Sequence, residues 1–376
     1  MTIGIDASRA VNEGAGIGRY TREVVRWMID LAEGDRFQLF FTFVRDDGHK
    51  RRWIEDVRSH REHVEVKTAT IPGQLKEWLW GKRWWGIKKY MPEADVLFAP
   101  SFFEVALGEK TPQVVTVHDL SHALFPDQRG EQVSRRLTER DRRVASKAVR
   151  IIAVSQATKD ELTRLYGVDP AKITVIPEGY NTFFQPVAGV ERQPFFLFVG
   201  TVSPRKNLAG LFQAYAQLPP EIREEYRLKV VGAEGWNTNQ IFQTYQNLKL
   251  EGEVEFLGYQ GDEALRTLYN QAAAFLFPSL YEGFGIPILE AMACGCPVIT
   301  SNISSMPEVA GEAALLVDPS IPQEITEAMM RVATEPKLWA QLHRAGLERV
   351  KDFSWEKTAR RTLEMLHEIG EQATRD

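Results

Sequence analysis

The chain has 376 residues, 44% of them hydrophobic and 26% charged, with a formal net charge of −5 and only two cysteines. That length exceeds one ordinary core and suits two domains of about 150–190 residues, hence a cleft. The composition excludes a disordered chain and one built from membrane spans, while Cys294 and Cys296 are too few for a structural zinc site and too close for an unstrained disulfide.

In chain order, short apolar runs alternate with amphipathic helical patterns. TIGID at 2–6 reads as a strand and RYTREVVRWMIDLA at 19–32 as a helix, followed by the strand patterns FQLFFTFV at 37–44, DVLFAP at 95–100, QVVTVHD at 113–119 and VRIIAVS at 149–155. The scheme repeats: FFLFVGT at 195–201, RLKVVGA at 227–233, VEFLGY at 254–259, AFLFPS at 274–279, PVITSN at 297–302 and AALLVD at 313–318, with helical patterns such as LFQAYAQL, DEALRTLYNQA and IPILEAMACG in the gaps. Two parallel-sheet, Rossmann-like α/β domains follow. The expected boundaries are 1–178 for the first domain, 179–194 for a linker, 195–355 for the second domain and 356–376 for a final helix. No apolar run approaches the roughly 20 residues of a spanning helix, and MTIGIDASRA enters a strand pattern without a signal-peptide core, so a cytoplasmic location is expected.

Charge is divided unevenly. Residues 1–178 hold 29 Lys+Arg against 26 Asp+Glu, leaving 17 against 25 for the rest. Within the first half, 76–91 gathers four of the nine tryptophans with Lys82, Arg83, Lys88 and Lys89, and 129–150 carries eight basic residues against three acidic ones. Both segments suit peripheral contact with an anionic membrane, although Trp78 and Trp85 are also spaced to pack into a core and exposed Arg is an ordinary helix surface. The negative overall balance and the lack of a recognisable module argue against nucleic acid.

Four constellations carry chemistry. The string YEGFGIPILEAMACGCPVI at 281–299 holds Glu282 and Glu290 with seven residues between them, and a turn of Gly283, Phe284 and Gly285 leads into a helix starting near Ile286. A helix N-terminus offers free N–H groups and the positive dipole end, and glycines let a ligand approach the backbone, so the turn suits a phosphate or sugar hydroxyls. Glu282 is placed to accept from sugar hydroxyls and Glu290, one turn in, to reach a ribose diol. A single glutamate reads more readily as a solvated acid at an ordinary helix start; the whole string does not. In FFLFVGTVSPRKNL a strand ends at Gly200 and its loop carries Arg205 and Lys206, cations placed to neutralise a diphosphate at a strand's carboxyl end. In GAGIGRY, Gly16 and Gly18 head a helix, a weak signal on its own. VTVHDLSH puts His118 and Asp119 just past a strand; His122 has no comparable claim.

These strings resemble the retaining glycosyltransferases of the GT-B fold, family 4, whose signature is E-x7-E, and TSNISSMPEVAGEAALLVDP continues the likeness. The resemblance runs from GAGIGRYTREV through VTVHDLSHALFPD, AVSQATKDEL, IPEGYN and FLFVGTVSPRKNL, and is weakest over about 45–95. It implies a GT-B architecture with the active site in the cleft, a sugar nucleotide on the second domain, an acceptor facing the first, and a final helix packing back on the first domain. It implies that Gly16 and Gly18 approach the donor diphosphate on domain closure, that His118 lies beside the sugar's 6-position without being a nucleophile, and that the base is held near Gly258 and Tyr259. Donor contacts are expected at Gly16, Gly18, Gly200, Gly258, Tyr259, Phe284, Gly285, Ile286 and Glu290, and catalytic roles at His118, Arg205, Lys206 and Glu282. The family often has Arg directly after the glycine, where Thr201 stands here, so Arg205 as second cation is read from the residue pattern alone.

The expected reaction moves a hexose, with mannose from GDP-mannose preferred because HDLSHALFPD and VSPRKNL resemble mannosyltransferase-like members, to a glycan or lipid-linked acceptor of the cell envelope with retention of configuration. No Asp-x-Asp occurs, and fixed cations take the place of a metal; no cofactor beyond the substrate nucleotide sugar is expected. A UDP-sugar donor, a nucleotide-sugar epimerase and a non-catalytic nucleotide-sugar sensor stay open as alternatives.

Overall fold

The computed structural model describes residues 1–13, 16–43, 48–59, 61–71, 87–102, 110–128 and 130–373. They form two compact units, the first comprising Met1–Leu124, Glu131–Gly179 and Trp355–Asp376 and the second Phe125–Gly130 and Tyr180–Ser354.

The first unit is built on β1 (Thr2–Asp6), β2 (Arg36–Thr42), β3 (Val64–Ala69), β4 (Val96–Ala99), β5 (Gln113–Val117), β6 (Arg150–Ala153) and β7 (Ile173–Val175). They form one sheet in the order β3-β2-β1-β4-β5-β6-β7, with every pairing parallel. β4 and β5 are buried along their whole length, as strands covered by helices on both faces must be, and so read as unbroken apolar runs. β3 and β7 escape the sequence reading because they are the two edges. β3 is polar and half-exposed, and β7 spans three residues.

The helix Gly16–Leu31 buries Gly18, Tyr20, Thr21, Val24, Val25, Met28 and Ile29, the spacing of one face against a core. Gly18 is required sterically, since a Cβ there would sit 1.9 Å from the Glu13 carbonyl oxygen. The helix Trp355–Ala373 packs on this same unit. The Thr358 hydroxyl donates to the Pro177 carbonyl at 2.8 Å, the Arg361 guanidinium donates to the Val175 carbonyl at 2.8 Å, and the Trp355 ring meets Tyr20 edge-on at 5.9 Å.

The second unit holds β8 (Phe195–Val199), β9 (Arg227–Val231), β10 (Val254–Gly258), β11 (Ala274–Phe277), β12 (Val298–Ser301) and β13 (Ala314–Val317), parallel throughout in the order β10-β9-β8-β11-β12-β13. Its core joins Phe196 and Phe198 of β8 to Leu208, Leu211, Phe212 and Tyr215 of the following helix and to Ile325 and Met329. Phe125–Gly130, read with the first domain from sequence, belongs here instead, the Phe125 ring standing 5.8 Å from Tyr281. The stretch 180–194 is likewise tied in rather than free. Phe184 is buried against Tyr269, and Asn270 accepts from the Val187 N–H and donates to the Gln185 carbonyl.

In both sheets the strand order reverses beside the first strand, between β1 and β4 and between β8 and β11. The crevice outside the carboxyl ends of strands at such a reversal is where open α/β sheets bind ligands. Among the described residues no helix is long and apolar enough to cross a membrane.

Candidate functional site

In the second unit, the reversal sets the loop after β8 beside the loop after β11. The first loop turns through Pro204–Lys206, and its Arg205 carbonyl accepts from the Leu280 N–H at 2.8 Å, pinning the two loops together. Side chains complete the join. Arg205 Nη1 stands 2.7 Å from Glu282 Oε2 and 2.6 Å from the Tyr281 carbonyl, while Lys206 Nζ stands 2.7 Å from Glu282 Oε1 and 4.4 Å above the Phe277 ring. Lys206 and Glu282 are buried, 9% and 8% exposed. Burial pushes the Glu282 carboxyl up, but the Lys206 and Arg205 charges outweigh it and hold the group below its ordinary range. Two cations on one carboxylate leave a net positive charge where a parallel sheet offers its ligand site.

The Glu282 loop is fixed from below. Ser304 Oγ donates to the Glu282 carbonyl at 2.6 Å, and Ser305 Oγ reaches the Glu282 and Phe284 carbonyls at 2.9 and 2.7 Å. Gly285, with φ +116°, turns the chain into the helix Ile286–Ala293, a conformation that L side chains resist. Phe284 packs edge-on against Phe353, and Glu290 is buried one turn into the helix. Its charge adds to burial in pushing the Cys294 thiol up to about 12; burial raises Cys296 further, so both cysteines are inert thiols.

The ends of β8, β9 and β10 converge on the same side. A Cβ on Gly232 would lie 2.0 Å from the Gly200 carbonyl oxygen, and the Gly232 N–H donates to the Gly258 carbonyl at 2.8 Å. Gly200 and Gly258 are thereby linked through a glycine that the sequence reading passed over. Gly258 has φ +65°, and Tyr259 after it is 81% exposed.

In the first unit, His118 follows β5 and contacts the neighbouring strand ends. Its Nε2 lies 2.9 Å from the Pro100 carbonyl at the end of β4, and its Nδ1 lies 2.8 Å from Glu178 Oε1, just past β7. Tyr20, one turn into the helix that Gly16 opens, stacks edge to face on the imidazole at 4.6 Å with its hydroxyl 2.9 Å from Thr116 Oγ1. Gly16 has φ +33°, and among the described residues nothing within 4 Å would meet a side chain there. Asp119 is turned back to accept from the Ser121 N–H. His122 pairs at 2.8 Å with buried Asp141, whose carboxyl burial raises.

The structure thus gathers Gly200, Arg205, Lys206 and Glu282 around one ion cluster, continues it through Gly285, Ile286 and Glu290, and joins Gly258 to it along the strand ends. His118 packs against Tyr20, which lies one turn after Gly16 in the same helix. Glu178 was missed, although IPEGYN was in view: nothing local shows an acid whose partner stands 60 residues away. Residues 76–86, with their four tryptophans, lie outside the described residues. Among the described residues, no group of three or more His, Cys, Asp or Glu could hold a metal ion.

The family model for glycosyl transferases group 1 matches residues 181–349, and that for Glycosyltransferase Family 4 matches residues 14–183. The chain is 30% identical over 374 residues to the O-antigen chain mannosyltransferase B of Escherichia coli, covering 93% of this chain and 94% of that one. Among solved structures it superposes on the sucrose-phosphate synthase of Thermosynechococcus elongatus with a TM-score of 0.77 at 22% identity, covering 98% of this chain and 99% of that one. A crystal structure of Anabaena Alr3699/HepE in complex with UDP-glucose gives 0.71 at 21% identity, with coverage of 98% and 99%. With matching models over both units, a full-length relative and the same fold, this chain belongs to the family 4 (group 1) glycosyltransferases of the GT-B fold.

Proposed function

We propose that this hexosyltransferase moves mannose from GDP-mannose to a hydroxyl of a glycan or lipid-linked acceptor in cell-envelope polysaccharide synthesis, with retention at the anomeric carbon. The observation that carries the reading is the Arg205–Glu282–Lys206 cluster, with Lys206 and Glu282 buried, at the second sheet's reversal. Breaking the bond between the sugar and the nucleoside diphosphate places growing negative charge on the leaving phosphate, and fixed, desolvated cations stabilise that charge more than they do the ground state. Glu282 holds both cations in place before the donor arrives. As a diphosphate takes over part of their hydrogen bonding, the Glu282 carboxylate becomes available to a sugar hydroxyl. The departing phosphate then takes the acceptor's proton as the acceptor oxygen bonds the anomeric carbon on the face the phosphate leaves. The positive dipole end at the head of the Ile286–Ala293 helix adds to the anion site. The exposed Tyr259 ring beside Gly258 suits the flat face of a nucleobase. The mannosyltransferase name of the full-length relative supports the sugar. A UDP-sugar is the second reading, favoured by the UDP-glucose complex of a protein with this fold.

The helix Glu131–Lys147 supports an acceptor at a membrane surface. It exposes Arg135, Arg136, Arg142, Arg143 and Lys147, with Val133 also exposed; each cation near an anionic surface contributes about 1 kcal/mol. The enzyme would then work at the inner face of the cell membrane.

The test is a thermal-shift screen against GDP, UDP, ADP and TDP and their sugars without added metal. A shift selective for GDP-mannose and lost in Lys206→Ala supports the reading. Selectivity for a UDP-sugar replaces the donor, and no shift with any nucleotide in folded protein overturns it. Flotation with phosphatidylglycerol but not phosphatidylcholine vesicles, weakened when Arg135, Arg136, Arg142 and Arg143 are changed to Gln, tests the membrane face.

A further inference from the structure

His118 is enclosed by acceptors. A backbone carbonyl has no proton to give, so the 2.9 Å contact from Nε2 to the Pro100 oxygen requires an N–H on Nε2. A carboxylate likewise only accepts, so the 2.8 Å contact from Nδ1 to Glu178 requires an N–H on Nδ1. A neutral imidazole has one N–H and satisfies one of these bonds; the imidazolium satisfies both.

The surroundings agree. Glu178 is 5% exposed, and a buried carboxylate is costly without a charged partner. Among the described residues, the titratable groups facing the ring are Glu178 from the segment after β7, Asp119 from the ring's own loop and Tyr20 from the Gly16–Leu31 helix. Burial alone lowers the imidazole, yet the Glu178 hydrogen bond and charge, the Pro100 carbonyl and Asp119 outweigh it and raise the group above its ordinary value. For Tyr20, burial and the Glu178 charge both raise the phenol, which stays neutral. The Glu178 peptide is itself strapped down: Thr358 and Arg361 of the C-terminal helix hold the Pro177 and Val175 carbonyls just ahead of it.

We infer that Glu178 is a positioning residue, fixing His118 as an imidazolium that meets a ligand oxygen as a cation and hydrogen-bond donor and never as a base. This rests on the reading of His118 as a donor-facing group. Glu178 holds Nδ1, and the ring presents Nε2–H at the end of β5, where the Pro100 carbonyl holds it until a ligand oxygen takes its place. No carboxylate of the substrate is needed to keep the proton in place.

The experiment is a pH titration of the full chain labelled with 15N-histidine, with the His118 signals identified by their loss in His118→Gln. Wild-type His118 is expected to keep both ring protons beyond the ordinary histidine value of about 6.5. In Glu178→Gln its titration falls by about 1–3 pH units, and Glu178→Asp restores part of the shift. Affinity for GDP-mannose or UDP-glucose, whichever wild type binds, then becomes pH-dependent in Glu178→Gln, weakening as pH rises through neutrality while wild type stays level. A purely structural Glu178 would lower affinity equally at every pH. A wild-type His118 that titrates at or below 6.5 overturns the inference even if the variant does not fold. A ring that titrates as expected in a protein that binds neither nucleotide sugar overturns the functional reading while leaving the ion pair standing.

Discussion

The two candidate site regions solve opposite electrostatic problems. In the second unit, one carboxylate holds two cations, so these three groups together carry surplus positive charge, which suits an anionic ligand. In the first unit, His118 and Glu178 cancel one to one, and the pair is complete as it stands. A cluster with surplus charge is suited to ligand binding, and a balanced one to holding a side chain still. Substitutions should therefore act differently in the two places.

The largest effect is expected from Glu282→Ala, which takes the Glu282 carboxylate away from buried Lys206 and half-buried Arg205. Loss of one partner of a buried pair costs about 3–5 kcal/mol, so the melting temperature should drop steeply, and added pyrophosphate or nucleoside diphosphate should recover more of it than in wild type. No drop would mean that the cluster is solvated. Next is Lys206→Ala, which removes a cation that stabilises the leaving group. Turnover should fall about 10²–10³-fold, the cost of losing one preorganised group at a developing charge, read as nucleotide release from the donor that the thermal screen selects; near-normal turnover would remove Lys206 from the site.

pH sharpens the comparison, because the two regions respond in opposite directions. Glu282 has a depressed folded value, so its contribution is fully present above the ordinary carboxylate range of about 4.3 and is lost as pH falls through the folded value. His118 has a raised folded value, so its contribution is fully present below about 6.5 and is lost as pH rises through the folded value. Melting temperatures across pH should show His118→Gln flattening the alkaline limb while leaving the acid limb intact. The smallest effect is expected from Thr358→Val, which removes one hydrogen bond to the Pro177 carbonyl at about 1 kcal/mol. It should loosen the Glu178 segment while leaving nucleotide binding by the second unit unchanged, and a thermal shift with free nucleoside diphosphate would reveal any loss.

The same contrast explains what the sequence made legible. Arg205, Lys206, Glu282, Gly285 and Glu290 stand in unbroken strings at strand ends, where the order of apolar runs already places a ligand site. That Glu282 is held by both cations was not legible, because the two loops meet only through the adjacency of β8 and β11. Glu178 was hidden for the same reason, its partner lying two strands away in the sheet order. Gly232 shows its role only once β8 and β9 are paired, and the polar edge strand β3 gave no continuous apolar signal. Phe125–Gly130 carries no mark of its own that assigns it to the second unit.

The strap formed by Thr358 and Arg361 also has a consequence in time. The first unit is discontinuous along the chain, opening with Met1 and closing with Trp355–Asp376. As the polypeptide leaves the ribosome, the segment from Tyr180 to Ser354 is complete before the helix that holds the Val175 and Pro177 carbonyls exists. Domains generally mature in the order of their synthesis; here the half made first is finished last, and the residues around His118 reach their final setting only when the Trp355–Ala373 helix has been made.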